Sequence, residues 1–156
     1  MSTRQPPVWQ ILVINGPNLN LLGTRETSVY GAVTLADIEL SCQQQAQQLG
    51  LEVAFFQSNH EGALVDRIQQ VQQQSVDLIV INPAAYTHTS VALRDALLAV
   101  ARPVIEVHLS NVYRREPFRH HSFIRDIAVG QITGFGPDVY RLALHAAVHY
   151  LQNSLN

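Results

Sequence analysis

Short, nearly uninterrupted apolar runs alternate along this chain with longer stretches in which apolar residues recur every three or four positions. The first run, Trp9 to Asn15 (WQILVIN), halts at Asn-Gly-Pro and reads as a buried strand stopped by turn residues. A polar stretch bounded by glycines follows, from Gly16 to Gly31. Thr34 then serves as N-cap, with Asp37 three residues on, for a helix that carries Leu35, Ile38 and Leu49 and stops at Gly50. Leu51 to Gln57 is a second strand. Helical spacing of Leu64, Ile68 and Val71 predicts a helix from about Glu61 to Gln74. Leu78 to Ile81 (LIVI) is a third strand, closed by Asn82-Pro83. A helix over Ser90 to Ala101 and a strand over Pro103 to His108 come next. A weaker fifth strand spans Ile127 to Ile132, and a closing helix spans Pro137 to Gln152, with proline near its first turn. The glutamine clusters at Gln43–Gln48 and Gln69–Gln74 fall inside helical patterns and read as solvated helix faces.

Strands that are short and continuously apolar, alternating with helices, imply a parallel sheet covered on both faces. Five such units point to an α/β three-layer sandwich of the flavodoxin-like kind, with strand order 2-1-3-4-5. We read residues 1–156 as one catalytic domain, with 1–8 a flexible tail. Ligands in this class bind beyond the carboxyl ends of the strands. Three polar clusters fall there: Asn15–Asn18, Asn82–His88 and His108–Asn111. The expected order makes their three strands neighbours, so one site accounts for all three.

Composition narrows the chemistry. A chain of 156 residues suffices for one continuous core, and a net charge of −2 offers no broad basic surface for nucleic acid or anionic membrane. An anionic ligand must be caught by a few placed arginines. The single cysteine, Cys42, excludes an internal disulfide and cysteine-rich zinc sites. No apolar run reaches the roughly 20 residues of a membrane span, and the start of the chain lacks a signal-like apolar region; the expectation is a soluble cytoplasmic protein. All ten basic residues are arginine. Without lysine there is no Schiff-base nucleophile, P-loop lysine or pyridoxal-phosphate anchor.

Several residues carry candidate chemistry. The segment from Gly23 to Gly31, bounded by glycines, carries Arg25 and Tyr30. A free phenol, with pKa of about 10, is a poor base at neutral pH, and a guanidinium beside it favours the phenolate. This loop reads either as a closing lid with an activated tyrosine base or as plain surface. Glu106 and His108 lie two apart on a strand, hence on one face, where a carboxylate orients an imidazole and raises its proton affinity. Asn82 and His88, in the long turn after the third strand, suit the hydroxyls of a polyol. Arg115 and Arg119 are candidates for a carboxylate clamp, of which only one need face a site. His145 and His149 have helical metal-pair spacing without an HExxH acid, and His120-His121 reads as a solvated pair. Gly134-Phe-Gly136 is a fragmentary dinucleotide fingerprint that lacks its third glycine.

The run from Ile14 to Arg25 (INGPNLNLLGTR) followed by Val29-Tyr-Gly31 closely resembles the opening of type II 3-dehydroquinate dehydratases. So do Gln57 to Gly62 (QSNHEG), Asn82 to Ser90 (NPAAYTHTS) and Glu106 to Asn111 (EVHLSN), in the family's order from about residue 10 to 151. The resemblance implies conversion of 3-dehydroquinate to 3-dehydroshikimate by anti elimination through an enolate, with no metal and no other cofactor. It implies Tyr30 as the base at C2 and Arg25 as its activator. Asn18 would stabilise the enolate oxygen through a water, and His108, oriented by Glu106, would protonate the departing hydroxyl. Asn82, His88, Arg119 and the backbone N–H groups of Leu109 and Ser110 would hold the substrate. Asp95 would reach a neighbouring subunit's site in a homo-oligomer, trimers assembled into a dodecamer. Ala84 stands where that pattern has glycine, Tyr113-Arg114 replaces a smaller or histidine-containing pair, and Pro117 stiffens the same segment.

A helix apolar on most of its surface, as Ser90 to Ala101 is, needs cover beyond its own sheet, which independently supports an oligomer. Two other classes compete. An FMN- or nucleotide-binding module needs a glycine-rich phosphate loop after the first strand, where Gly16 to Gly23 has few glycines and a proline without N–H. A phosphorelay receiver needs acidic strand ends, and strands one and three end in asparagine. The same dehydratase chemistry serves both aromatic biosynthesis and quinate breakdown.

Overall fold

The computed structural model describes residues 5, 7–24, 28 and 31–155. Five strands, β1 (Trp9–Asn15), β2 (Leu51–Gln57), β3 (Leu78–Asn82), β4 (Val104–His108) and β5 (Gly130–Thr133), form one sheet in the order β2-β1-β3-β4-β5, with every pairing parallel. Among the described residues four helices, α1 (Leu35–Leu49), α2 (Glu61–Gln69), α3 (Val91–Val100) and α4 (Asp138–Asn153), cover its faces. This is the flavodoxin-like sandwich expected from the hydrophobic pattern.

Strand alternation divides the core in two. Ile11, Val13, Leu78, Val80, Ile105 and Val107 pack with α1 and α4, around Ile38, Cys42, Tyr140 and Leu144. Leu12, Ile14, Ile79, Ile81 and Val104 pack with α2 and α3, around Leu64, Ile68, Leu93 and Leu97. Burial on both faces is why these strands are apolar without alternation.

Local chemistry sets the helix ends. Thr34 and Asp37 form a reciprocal cap on α1: Asp37 N donates to Thr34 Oγ1 at 3.1 Å and Thr34 N to Asp37 Oδ2 at 3.0 Å. Gly50 ends that helix at φ 69°. Ser90 caps α3 by accepting from Leu93 N at 2.9 Å. Two boundaries differ from the sequence reading by more than one residue. The second helix ends at Gln69 and tightens into a 3-10 turn over Gln70–Gln73, which keeps Val71 in the core. The fifth strand starts three residues late, because Ile127 and Ala128 both donate their N–H to Ile124 O in a turn and their side chains pack on the α2–α3 layer. Pairing with β4 begins only at Gly130.

Candidate active site

Because every strand runs the same way, β1, β3 and β4 deliver their carboxyl ends to one edge. At that edge the backbone after β1 touches the backbone after β3. Gly16 N donates to Asn82 O at 2.8 Å, and a Cβ on Gly16 would lie 2.3 Å from Pro83 O. Only glycine permits this approach. Ala84, just beyond, holds φ 53° in the left-handed region that ordinarily favours glycine.

An open cleft with a volume of about 160 Å³ lies over these ends. Asn18, Asn82, His88, His108, Leu109 and Ser110 line it, as do Arg115 and Arg119. All three polar clusters therefore converge on one site. Both arginines line the cleft, although the sequence argument required only one.

The wall on β4 is built around a buried acid. Glu106 is 0% exposed, and its Oε2 accepts from His108 Nε2 at 2.5 Å. Ser122 Oγ donates to Oε1 at 2.8 Å, and Gln131 Nε2 donates to Oε2 at 2.6 Å. Burial pushes this carboxyl upward, but the bonds and charge of His108, followed by the Ser122 and Gln131 bonds, outweigh it and leave it below the ordinary carboxylate value. With Nε2 committed to Glu106, Nδ1 is the remaining ring nitrogen of His108, a residue that lines the cleft.

His88 is half-buried, and its Nδ1–H donates to His121 O at 2.7 Å, since a carbonyl can only accept. Burial lowers its proton affinity, partly countered by that bond. Arg119 is steered by Glu116, with Nε to Oε2 at 2.7 Å, and its guanidinium carbon lies 4.9 Å from the centre of the Phe118 ring. Asn18 takes up φ 67° and donates its backbone N–H to Asn59 Oδ1 at 2.9 Å. Leu109 is buried, and the carbonyls of Leu109 and Ser110 accept from Gly136 N and Thr133 Oγ1.

Asn82 belongs to a second buried web. Its Nδ2 donates to Tyr140 Oη at 3.1 Å, its Oδ1 accepts from Ala84 N at 3.2 Å, and Tyr140 Oη donates to Asn15 Oδ1 at 2.5 Å. Sequence reasoning missed Ser122, Gln131 and Tyr140. For Gln131 a signal existed, since it pairs with Glu106 across β4 and β5. Asp95 is exposed on α3 and does not line the cleft of its own chain. Arg25 and Tyr30 lie outside the described residues. Among the described residues no cluster of three or more His, Cys, Asp or Glu is arranged to hold a metal. His149 instead shares a 3.1 Å bond with Asn153 along α4. No helix among the described residues is long and apolar enough to cross a membrane.

The sequence pattern of the family "Dehydroquinase class II" matches residues 9–148. A 3-dehydroquinate dehydratase 1 from Ralstonia nicotianae is 64% identical over 134 residues, covering 86% of each chain. A 3-dehydroquinate dehydratase from Methylococcus capsulatus is 61% identical over 145 residues, covering 93% of this chain and 98% of that protein. The crystal structure of a type II dehydroquinase from Butyrivibrio crossotus superposes with a TM-score of 0.88 at 46% identity, over 90% of this chain and 97% of that one. Sequence and fold agree over nearly the full length of each partner, and the chain belongs to the class II dehydroquinase family.

Proposed function

We propose that the protein is a hydro-lyase that converts 3-dehydroquinate to 3-dehydroshikimate by anti elimination of water. The observation that carries this reading is the buried Glu106–His108 pair on the wall of a cleft where polar strand ends converge. In the proposed reaction the Tyr30 phenolate, stabilised by Arg25, takes the proton from C2. The electron pair moves onto the ketone oxygen as an enolate, which Asn18 stabilises through a bound water. The pair then returns, the C1–O bond breaks, and His108 gives its proton to the leaving hydroxyl, which departs as water. Asn82, His88, Arg119 and the backbone N–H groups of Leu109 and Ser110 hold the substrate's hydroxyls and carboxylate. The steps use side chains, backbone N–H groups, a water and the substrate.

The reading extends to a place in aromatic amino-acid biosynthesis, in the cytoplasm, with residues 1–156 acting as one catalytic domain. It also includes a dodecamer of trimers in which Asp95 serves a neighbouring site. The exposure of Val91 and Leu98 on α3, 50% and 51%, supports an assembly that covers them. The test follows enone absorbance on addition of 3-dehydroquinate, for wild type, Tyr30→Phe and His108→Asn. Wild type turns over and both variants lose most of kcat while remaining folded; an inactive wild type overturns the reading. Light scattering that returns a monomer removes the assembly from it.

A further inference from the structure

The carboxylate of Glu106 is held by more than the histidine it orients. Ser122 Oγ accepts backbone N–H bonds from Ile124 at 3.0 Å and Arg125 at 3.1 Å. With its lone pairs so engaged, its hydrogen goes to Glu106 Oε1. The amide nitrogen of Gln131 carries only donors, and it addresses Oε2, the oxygen that also faces His108. Both carboxylate oxygens thus receive hydrogens, and bonds donated to a carboxylate favour its charged form over the protonated acid. A proton shared between a buried acid and a buried imidazole sits on whichever partner its surroundings favour.

We propose that Ser122 and Gln131 are positioning residues that hold Glu106 as the carboxylate and so assign the proton of the pair to His108. Neither residue touches the cleft; each acts through Glu106. The inference rests on the reading of His108 as the acid that protonates the leaving hydroxyl. Both come from outside β4: Ser122 from the segment following the 3-10 turn Pro117–His120, and Gln131 from β5. Among the described residues, the other ionisable groups that line the cleft beside the pair are His88 from the turn after β3, with Arg115 and Arg119 from the segment after β4. His88 is bonded to His121 O and Arg119 to Glu116, and it is the serine and the glutamine that bring hydrogens to Glu106 from outside β4.

The experiment compares Ser122→Ala, Gln131→Met and the isosteric Gln131→Glu with wild type and His108→Asn. It reads kcat and KM for 3-dehydroquinate from pH 5 to 10, and the 15N shifts of the His108 ring at neutral pH. Each donor deletion is expected to lower kcat about tenfold, the usual effect of losing one bond to a charged group, with KM within twofold. The acid limb of kcat moves to higher pH, furthest in Gln131→Glu, and the ring signals move from imidazolium toward neutral imidazole. Unmoved limbs and unchanged ring shifts in folded, active variants overturn the inference, as does a loss confined to KM or thermal stability. The ring shifts need no turnover. An inactive wild type with the expected shifts would therefore sink the assigned reaction and leave the proton assignment standing.

Discussion

Tyr140→Phe isolates one buried oxygen. The phenol ring packs in the layer formed with α1 and α4, and phenylalanine keeps that ring, so the apolar contribution is nearly constant. Burial pushes the phenol well above its ordinary pKa, against the lowering effect of Asn82, so it remains a hydroxyl at any usable pH. That hydroxyl joins Asn82, at the end of β3, to Asn15, its register partner at the end of β1. Both asparagines are buried, and Asn15 Nδ2 already lacks a protein partner among the described residues. Deleting the oxygen strands Asn82 Nδ2 and Asn15 Oδ1 together. Each orphan costs about 1–3 kcal/mol, and partial relaxation brings the pair to roughly 2–4 kcal/mol. For a chain of this length that corresponds to a fall in Tm of roughly 5–15 °C. Urea unfolding by far-UV circular dichroism, at matched protein concentration, gives the free energy, and an unchanged m-value attributes it to the native state. A loss below about 0.5 kcal/mol, the range of an inconsequential surface change, would refute the reasoning.

A methyl group on Gly16 would meet Pro83 carbonyl atoms at 2.3 and 2.7 Å, so Gly16→Ala must pry apart the ends of β1 and β3. A cost of about 3 kcal/mol with loss of turnover is expected; a calorimetric Tm equal to wild type would contradict it. Burial pushes the Cys42 thiol up to about 11, helped by Glu39 and opposed by Arg141. Iodoacetamide at pH 8 should then label the protein only in denaturant, and mass spectrometry showing rapid labelling of the native protein would overturn this. Stability should fall in two stages on acidification. His88, its proton affinity lowered by burial, gives its full contribution above the unfolded value of about 6.5 and loses it as the pH falls. Glu106, held below the ordinary carboxylate value, loses its share only as the pH falls from that value through its folded one. Urea midpoints from pH 7.5 to 3.5 measure both, and His88→Gln should flatten the first stage alone.

The sheet was legible because its central strands are apolar on both faces, a pattern that needs no partner information to read. The start of β5 was not, since Ile127 looks like strand until the turn around Ile124 captures its N–H. The Glu106–His108 bond followed from their two-residue spacing, which is local. Ser122 and Gln131 could not be found that way. Their role depends on the register of β5 against β4 and on the path of the chain from Pro117 to Ile124. Asn82 was read from its loop as a ligand group, and the structure adds Tyr140, 58 residues away, as the partner that orients it.

The division of the interior by the sheet also bears on engineering. Ile11 and Leu12 are neighbours in the chain yet answer to different helices, so the two sides behave as separate compartments behind a common partition. Repacking the α2–α3 compartment leaves the side chains beneath α1 and α4 untouched, and gains made in the two rooms should combine with little interference. The cleft opens on the α1–α4 side, where Leu19, Leu22 and Leu109 of that room form part of its lining, so changes made there also bear on the site.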